Sequence, residues 1–242
     1  MSTAKIPRNV WITGASSGIG RALATTFVSR GDTVFATGRN IENLGSLQAE
    51  LSTASGRVMV AECDLRRDDQ VAHIARRVLS DLGSLDILIN NAGVTYFKDF
   101  EKTTIEEFDE VIETNLRGLF LTTKSILAAM IQRESGAIIN ILSYAGKSVY
   151  TGSSAYAASK AGAEAMMNVL RAETRQKGIK IVNIYPGAVL TSIWHPKHQE
   201  RYRHQMMKPE EVAAMVYEIS CQPASMIVEE VVLRPQGGDL RV

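Results

Sequence analysis

The chain has 242 residues, with 27 Lys and Arg against 26 Asp and Glu and 45% apolar side chains. A balance this close to neutral lacks the basic footprint of a nucleic-acid binder and implies no charge-driven partner. No stretch approaches the roughly 18 apolar residues that a membrane span needs. The start, MSTAKIPRNVWITG, lacks the apolar core of an export signal, so a cytoplasmic protein without a membrane span is expected. Cys63 and Cys221 form neither a disulfide framework nor a metal-ligand spacing, and both are expected as buried thiols in a reducing compartment.

Short β-branched runs alternate with longer helical patterns along the whole chain. Strand NVWIT (9–13) leads into a helix over 18–29, TVFAT (33–37) into one over 41–53, and RVMVA (57–61) into one over 68–82. DILIN (86–90) precedes a long helix over 104–133, AIINI (137–141) one over 153–177, and KIVNI (180–184) one over 209–221. MIVEEVVL (226–233) closes the series as a seventh strand. Most runs are continuously apolar, the pattern of parallel strands covered by helices on both faces. The rhythm predicts one α/β domain over 1–242, built on a doubly wound, seven-stranded parallel sheet. Pro209 followed by Glu210 and Glu211 marks a helix start, with the acids at the positive end of the dipole.

Two features carry chemistry. The first strand runs straight into TGASSGIG (13–20), where Gly14, Gly18 and Gly20 let the backbone turn tightly before a helix. Such a turn brings free N–H groups and a helix dipole against a pyrophosphate. Further on, SAYAASK places Tyr156 and Lys160 four residues apart, on one face of the predicted helix. A phenol ordinarily titrates too high to act as a base near neutrality, and an adjacent ammonium favours its ionised form, so the pair is expected to work as a proton donor and acceptor. Ser143, just past the strand 137–141, stands where ligands collect in such sheets and could meet Tyr156 over one carbonyl.

The glycine spacing is Gly-x-x-x-Gly-x-Gly, and with it the chain resembles the short-chain dehydrogenase/reductase family. Asn90-Asn91-Ala92-Gly93 after the fourth strand, Asn115, Ser143, Tyr156, Lys160, Pro186-Gly187 and Thr191 carry the resemblance through the chain in order. It implies a Rossmann-like fold and an oxidoreductase that interconverts a ketone or aldehyde and its alcohol by hydride transfer. Tyr156 would be the acid/base and Ser143 would hold the carbonyl oxygen. Lys160 would tune the phenol and bind the nicotinamide ribose, while Asn115 would hold a water that relays protons through Lys160. The cofactor would lie along Gly14, Ser16, Ser17, Gly18, Ile19, Gly20, Arg39, Asn40, Asp64, Leu65, Asn91, Ala92, Gly93, Tyr156, Lys160, Pro186, Gly187, Val189 and Thr191.

The second strand speaks to which cofactor. An acid at its end would bond a ribose 2'-hydroxyl; here Gly38 holds that position and Arg39 follows with a guanidinium suited to a 2'-phosphate, so NADP(H) is expected. Arg39 would alternatively stack on adenine. Asp32 falls at the wrong end of this strand and Glu42 in the next helix. By resemblance Asp64 contacts adenine; helix N-capping is its alternative.

The segment between Thr191 and Pro209 is expected to be a lid over the substrate, with Val94, Tyr96, Tyr144, Tyr150 and Trp194 as pocket walls. His195, His198 and His204 have no Cys or acidic partner at ligand spacing, so no metal is expected. Small residues at Ala157, Ala158, Ala161, Gly162 and Ala165 suit close helix approach, and relatives pair this helix across a subunit interface, implying a homodimer or homotetramer; the tail LRPQGGDLRV lies near an interface in relatives. An epimerase or dehydratase on the same scaffold would need a longer chain for a sugar-nucleotide domain. A nucleotide-sensing regulator would have lost the Tyr/Lys pair.

Overall fold

Seven strands form one sheet in the order β3-β2-β1-β4-β5-β6-β7, every neighbouring pair parallel. This is a computed structural model, and it describes residues 6–240. The first five residues of the start read above for an export signal, and the last two of the tail read as an interface element, lie outside them. The strands are β1 Asn9–Thr13, β2 Thr33–Gly38, β3 Arg57–Glu62, β4 Ile87–Asn90, β5 Gly136–Ile141, β6 Ile179–Pro186 and β7 Glu230–Leu233. Between them run α1 Gly18–Ser29, α2 Ile41–Glu50, α3 Asp68–Leu82, α4 Ile105–Ile112, α5 Gly118–Gln132, α6 Ser154–Thr174, α7 Pro196–Tyr202 and α8 Pro209–Ser220. Among the described residues no helix is long and apolar enough to cross a membrane.

The doubly apolar strands serve two cores. Val10 and Ile12 of β1 join Val34, Ile89 and Ile139 in a layer with Leu23 and Phe27 of α1, Leu44 of α2 and Val212 and Val216 of α8. Trp11 and Phe35 point the other way, into a layer with Ile74 of α3, Ile126 and Met130 of α5 and Met167 of α6. Alternate residues of a strand face opposite sides of the sheet, so a strand buried on both must be apolar throughout. Trp11 keeps its indole N–H satisfied inside this core by donating to Thr37 Oγ1 at 3.0 Å.

Polar side chains cross the sheet where it approaches its carboxyl edge. Asn90 pairs in register with Asn140, and Asn140 with Asn183. Asn90 Nδ2 donates to Asn140 Oδ1 and Asn140 Nδ2 to Asn183 Oδ1, both at 3.0 Å, and Asn183 Nδ2 donates to Asn168 Oδ1 of α6 at 3.1 Å. Thr122 of α5 donates to Asn90 Oδ1 at 2.7 Å. The chain of amides therefore fixes three adjacent strand ends and two helices in one register. At the opposite edge Asp32, fully buried, accepts from Arg8 Nη2 at 2.7 Å, so the acid at the wrong end of β2 locks the sheet's amino side.

Several expectations need correction. The long helix over 104–133 is interrupted by a π-helical turn, Glu113–Arg117, between α4 and α5. The strand expected over 226–233 begins only at Glu230; Lys180 Nζ holds the carbonyls of Pro223 and Met226, each at 2.7 Å, and so fixes the turn just before the irregular stretch 226–229. The expected lid loop carries α7, started by Pro196 at its first turn with His195 as N-cap. Cys63 is buried as expected, but Cys221 is exposed, since it terminates α8 on the solvent side. The helices expected to 53 and 177 also stop early, at Glu50 and Thr174.

Replacing Asn140 with Ala leaves Asn183 Oδ1 without its donor and Asn90 Nδ2 with one acceptor fewer. At about 1–3 kcal/mol per orphaned buried group, the variant is expected to lose about 2–4 kcal/mol of unfolding free energy. Urea denaturation followed by circular dichroism measures this directly.

Candidate active site

The strand order reverses direction between β1 and β4, and the crevice outside the carboxyl ends of the strands is where such sheets bind ligands. A cleft of about 830 Å³ opens there. Its wall runs from Gly14, Ser16, Ser17, Gly18 and Ile19 past Arg39, Asn40, Asp64 and Leu65 to Ser143, Tyr156, Lys160, Gly187 and Thr191. Asn91, Ala92, Gly93, Pro186 and Val189 line it too; of the predicted set, Gly20 and Asn115 stand just behind the wall, both buried.

The glycine turn is shaped by what it touches. Gly14 and Gly18 take φ of +66° and +53°, in the left-handed region that favours glycine. A Cβ on Gly20 would stand 2.2 Å from Gly14 O and 2.4 Å from Asn91 Nδ2. Asn91 Nδ2 donates to Thr13 O at 3.0 Å and to Gly14 O at 3.1 Å, so this side chain clamps the turn from the neighbouring strand end. Ser17 is the N-cap of α1 without a side-chain cap bond, and the first turn of α1 has no acid. Among the described residues, the leading N–H groups of α1 therefore face the cleft without a side-chain acceptor.

At the far end of the cleft, β2 delivers Arg39 and Asn40. Asn40 Oδ1 accepts from Asn43 N at 2.8 Å and caps α2, which engages that oxygen. Arg39 Nη1 donates to Glu110 Oε1 of α4 at 2.9 Å. Asp64 grips Arg66, its Oδ2 accepting from Nη2 at 2.6 Å, and this holds its carboxyl below the usual range. The helix after it is entered through Arg67, so Asp64 is not its N-cap. Cys63 next to it is pushed up to about 12 by burial and the nearby Asp64 charge, and is no nucleophile at neutral pH.

The Tyr156 and Lys160 side chains share one face of α6, with Lys160 Nζ 5.7 Å from the centre of the phenol ring. Lys160 is buried, donates to Ile141 O at 2.9 Å, and is pushed down to about 8 by that burial. Tyr156 departs from expectation. Burial raises its pKa, while the Ser143 hydroxyl beside it pulls down less strongly, so the phenol stays protonated through the neutral range. Ser143 Oγ accepts from Ala145 N at 3.1 Å, and its own proton is directed toward the Tyr156 oxygen.

Asn115 sits in the π turn, buried, and braces two segments. Nδ2 donates to Val94 O at 2.9 Å and Ser159 Oγ at 3.0 Å, and Oδ1 accepts from Val94 N at 2.8 Å. Both amide protons are thereby committed. Val94, Tyr96, Tyr144, Tyr150 and Trp194 all line the cleft, as the sequence suggested. Phe97, stacked on Trp194 with centroids 5.1 Å apart, Glu110 and the tail residues Asp239 and Leu240 were not foreseen. Phe97 and Glu110 lie in ordinary amphipathic surroundings, and no sequence pattern marks a tail that folds back over a cleft. Burial and then the Asp239 carboxylate push Tyr150 up to about 12. Among the described residues no group of three or more His, Cys, Asp or Glu is placed to hold a metal ion.

Comparisons with known proteins identify the family. The family model of short chain dehydrogenases matches residues 8–202, and the chain belongs to the short-chain dehydrogenase/reductase family. A sepiapterin reductase of Chlorobaculum tepidum is 32% identical over 237 residues, 95% of this chain and 97% of that protein. A metagenomic short-chain oxidoreductase solved in complex with NADP superposes with a TM-score of 0.85 at 32% identity, over 96% of this chain and 99% of that one. An alcohol dehydrogenase from the archaeon Thermococcus sibiricus, complexed with 5-hydroxy-NADP, gives 0.89 at 27% identity, over 98% and 100%.

Glycine contacts separate two substitutions. Gly20→Ala must push Gly14 O and Asn91 aside and is expected to lower stability by about 1–3 kcal/mol, as overpacking does. Gly45→Ala, in α2 with nothing within 4 Å of its Cβ, is expected to raise it by about 0.5–1 kcal/mol. Thermal melts of the two variants should move in opposite directions.

Proposed function

We propose that this protein is an NADP(H)-dependent oxidoreductase that interconverts a carbonyl compound and its alcohol, with Tyr156 as general acid and base. The observation that carries the reading is the convergence, in one cleft of about 830 Å³, of an open helix N-terminus, an arginine at the end of β2 and a neutral phenol beside a buried lysine. The residues present fit a dinucleotide. The turn of Gly14, Ser16, Ser17, Gly18, Ile19 and Gly20 offers backbone N–H groups to a pyrophosphate, with Thr191 packed against Gly18 across the cleft. Buried hydroxyls of Thr95 and Thr114, in the cleft wall, have no hydrogen-bond partner among the described residues and suit a bound polar ligand. Arg39 would hold the 2'-phosphate, Asp64 and Leu65 would flank adenine, and Asn91 to Gly93 with Pro186 to Val189 would enclose the rest. Relatives solved with NADP or 5-hydroxy-NADP support the choice of cofactor.

When bound, the nicotinamide supplies the hydride. The chain's own residues handle the oxygen. Ser143 donates a hydrogen bond to the carbonyl, and the raised pKa of Tyr156 keeps its proton in place for delivery to that oxygen. Lys160 uses one of three protons on Ile141 O, leaving two for ribose hydroxyls and for refilling Tyr156. Asn115 positions Val94 and α6, and only the second lone pair of Oδ1 remains for a relayed water. The lysine therefore works as a proton reservoir near pH 8, with burial keeping the phenol an acid.

The same reading takes the chain as a single catalytic domain in the cytoplasm, acting on a small molecule. Aromatic walls favour an apolar or planar substrate. A homodimer or homotetramer accords with Phe108, Phe120 and Val169, which stand 44%, 44% and 58% exposed on α4, α5 and α6. A monomer in light scattering at micromolar concentration would remove that part.

Turnover decides the reading: NADPH absorbance should fall with a panel of ketones and aldehydes, whereas a regulator would bind and consume nothing. Tyr156→Phe should cost about 10²–10⁴ in kcat while leaving nucleotide affinity intact. Arg39→Glu should move the NADPH/NADH efficiency ratio by about tenfold or more toward NADH, through lost charge-assisted bonds. Because protonated Lys160 is required, kcat for reduction should hold level at lower pH and decline as pH rises through about 8. A reductive rate that climbs across that interval would discard the assigned proton path.

A further inference from the structure

The adenosine end of the cleft is electrically balanced. Arg39 and Arg66 supply two positive charges, and Asp64 and Glu110 two negative ones. Glu110 Oε1 accepts from Arg39 Nη1 at 2.9 Å and lies 3.5 Å from Arg66 Nη1, while its Oε2 accepts the Tyr96 hydroxyl. Asp64 is committed to Arg66, taking its backbone N–H and Nε at 3.0 Å and its Nη2 at 2.6 Å. A neutral cluster is a poor receptor for a dianion, since an incoming phosphate meets a carboxylate already seated on its arginine. One acid must give way. Asp64 is tied through a compact chelate, whereas Glu110 reaches in from α4 on a longer side chain and contacts each arginine through one oxygen.

We infer that Glu110 is a specificity-determining counter-ion, which occupies Arg39 in the nucleotide-free protein and must be displaced from it by a 2'-phosphate but not by a 2'-hydroxyl. This rests on the NADP(H) reading above and adds to it. NADH would leave the Arg39–Glu110 pair in place, because its ribose brings no charge to compete for the guanidinium. NADPH would break it. Glu110 therefore sets the affinity gap between the two cofactors below what Arg39 alone would give. It also connects that end to the opposite one, since the oxygen released from Arg39 belongs to the carboxylate that holds Tyr96. Tyr96 precedes Phe97, which stacks on Trp194 over the substrate side of the cleft.

Calorimetric titration of NADP⁺ and NAD⁺ into the unmodified protein, Glu110→Gln, Arg39→Gln and the double variant tests this without turnover. Removing one charge from the network should tighten NADP⁺ binding by about five- to tenfold in Glu110→Gln and move NAD⁺ by less than about twofold. In the Arg39→Gln background the same exchange should change NADP⁺ affinity by less than about twofold, because the coupling runs through Arg39. An unchanged or weakened NADP⁺ affinity in Glu110→Gln, an equal shift for both nucleotides, or a gain that persists without Arg39 would each overturn the inference. Arg39→Gln alone tells the two readings apart. If it leaves NADP⁺ binding untouched, the 2'-phosphate assignment fails; if it weakens binding while Glu110→Gln does nothing, only the counter-ion role fails.

Discussion

The cleft depends on one side chain that reaches between strands. Asn91 donates to Thr13 O and Gly14 O from the end of β4, and Thr13 Oγ1 accepts in return from the backbone N–H groups of Asn91 and Ala92. These bonds weld the two strand ends on either side of the point where the sheet's winding reverses. The glycine turn can then approach β4 so closely that Gly14 lacks room for a Cβ, which would stand 2.7 Å from Ala92 Cα. A turn shaped only by its own glycines would be loose; one clamped by an asparagine presents the N-terminus of α1 in a fixed direction. Preorganised donors cost no reordering when an anion arrives.

The amide chain from Asn90 through Asn140 to Asn183 extends the same device across the sheet. Ser143 follows β5, Pro186 ends β6 and Gly187 comes just after it, so the register that these amides impose also sets how far each of these residues projects into the cleft. Asn168 carries the register into α6, where Arg171 Nη1 donates to its Oδ1 at 2.8 Å. That helix bears Tyr156 and Lys160. Fully paired polar networks in a core specify one arrangement, because any slip of register would strand several amides at once. Precision at the cleft thus originates partly in side chains buried behind it.

Elements whose residues must be apolar on both faces, such as NVWIT and AIINI, were legible in the sequence, because period and burial leave them no alternative. So were the glycine turn and the Tyr156/Lys160 pair, whose spacing alone puts both on one helix face. What escaped depended on contacts distant in sequence. The π turn at Glu113–Arg117 leaves no mark in a helical pattern, yet it seats Asn115 against Val94 and Ser159. Asp239 and Leu240 reach the cleft only because the tail folds back across α7, where Leu240 packs with Tyr202 and Met206. The Tyr156 shift runs opposite to expectation for a related reason: proximity to Lys160 is visible at i and i+4, but the depth of burial is not.

Burial acts on both members of the pair. A phenol made acidic by a nearby cation would share its proton readily in either direction, but here burial has depressed the cation as well, to about 8. Each group of the pair is thus biased toward its neutral form, and the two meet where ammonium and phenol both hold protons near neutrality. A positive charge arriving beside the phenol would oppose the penalty that burial places on its ionised form. The ionisation of both groups is therefore tied to the charge of whatever fills the cleft.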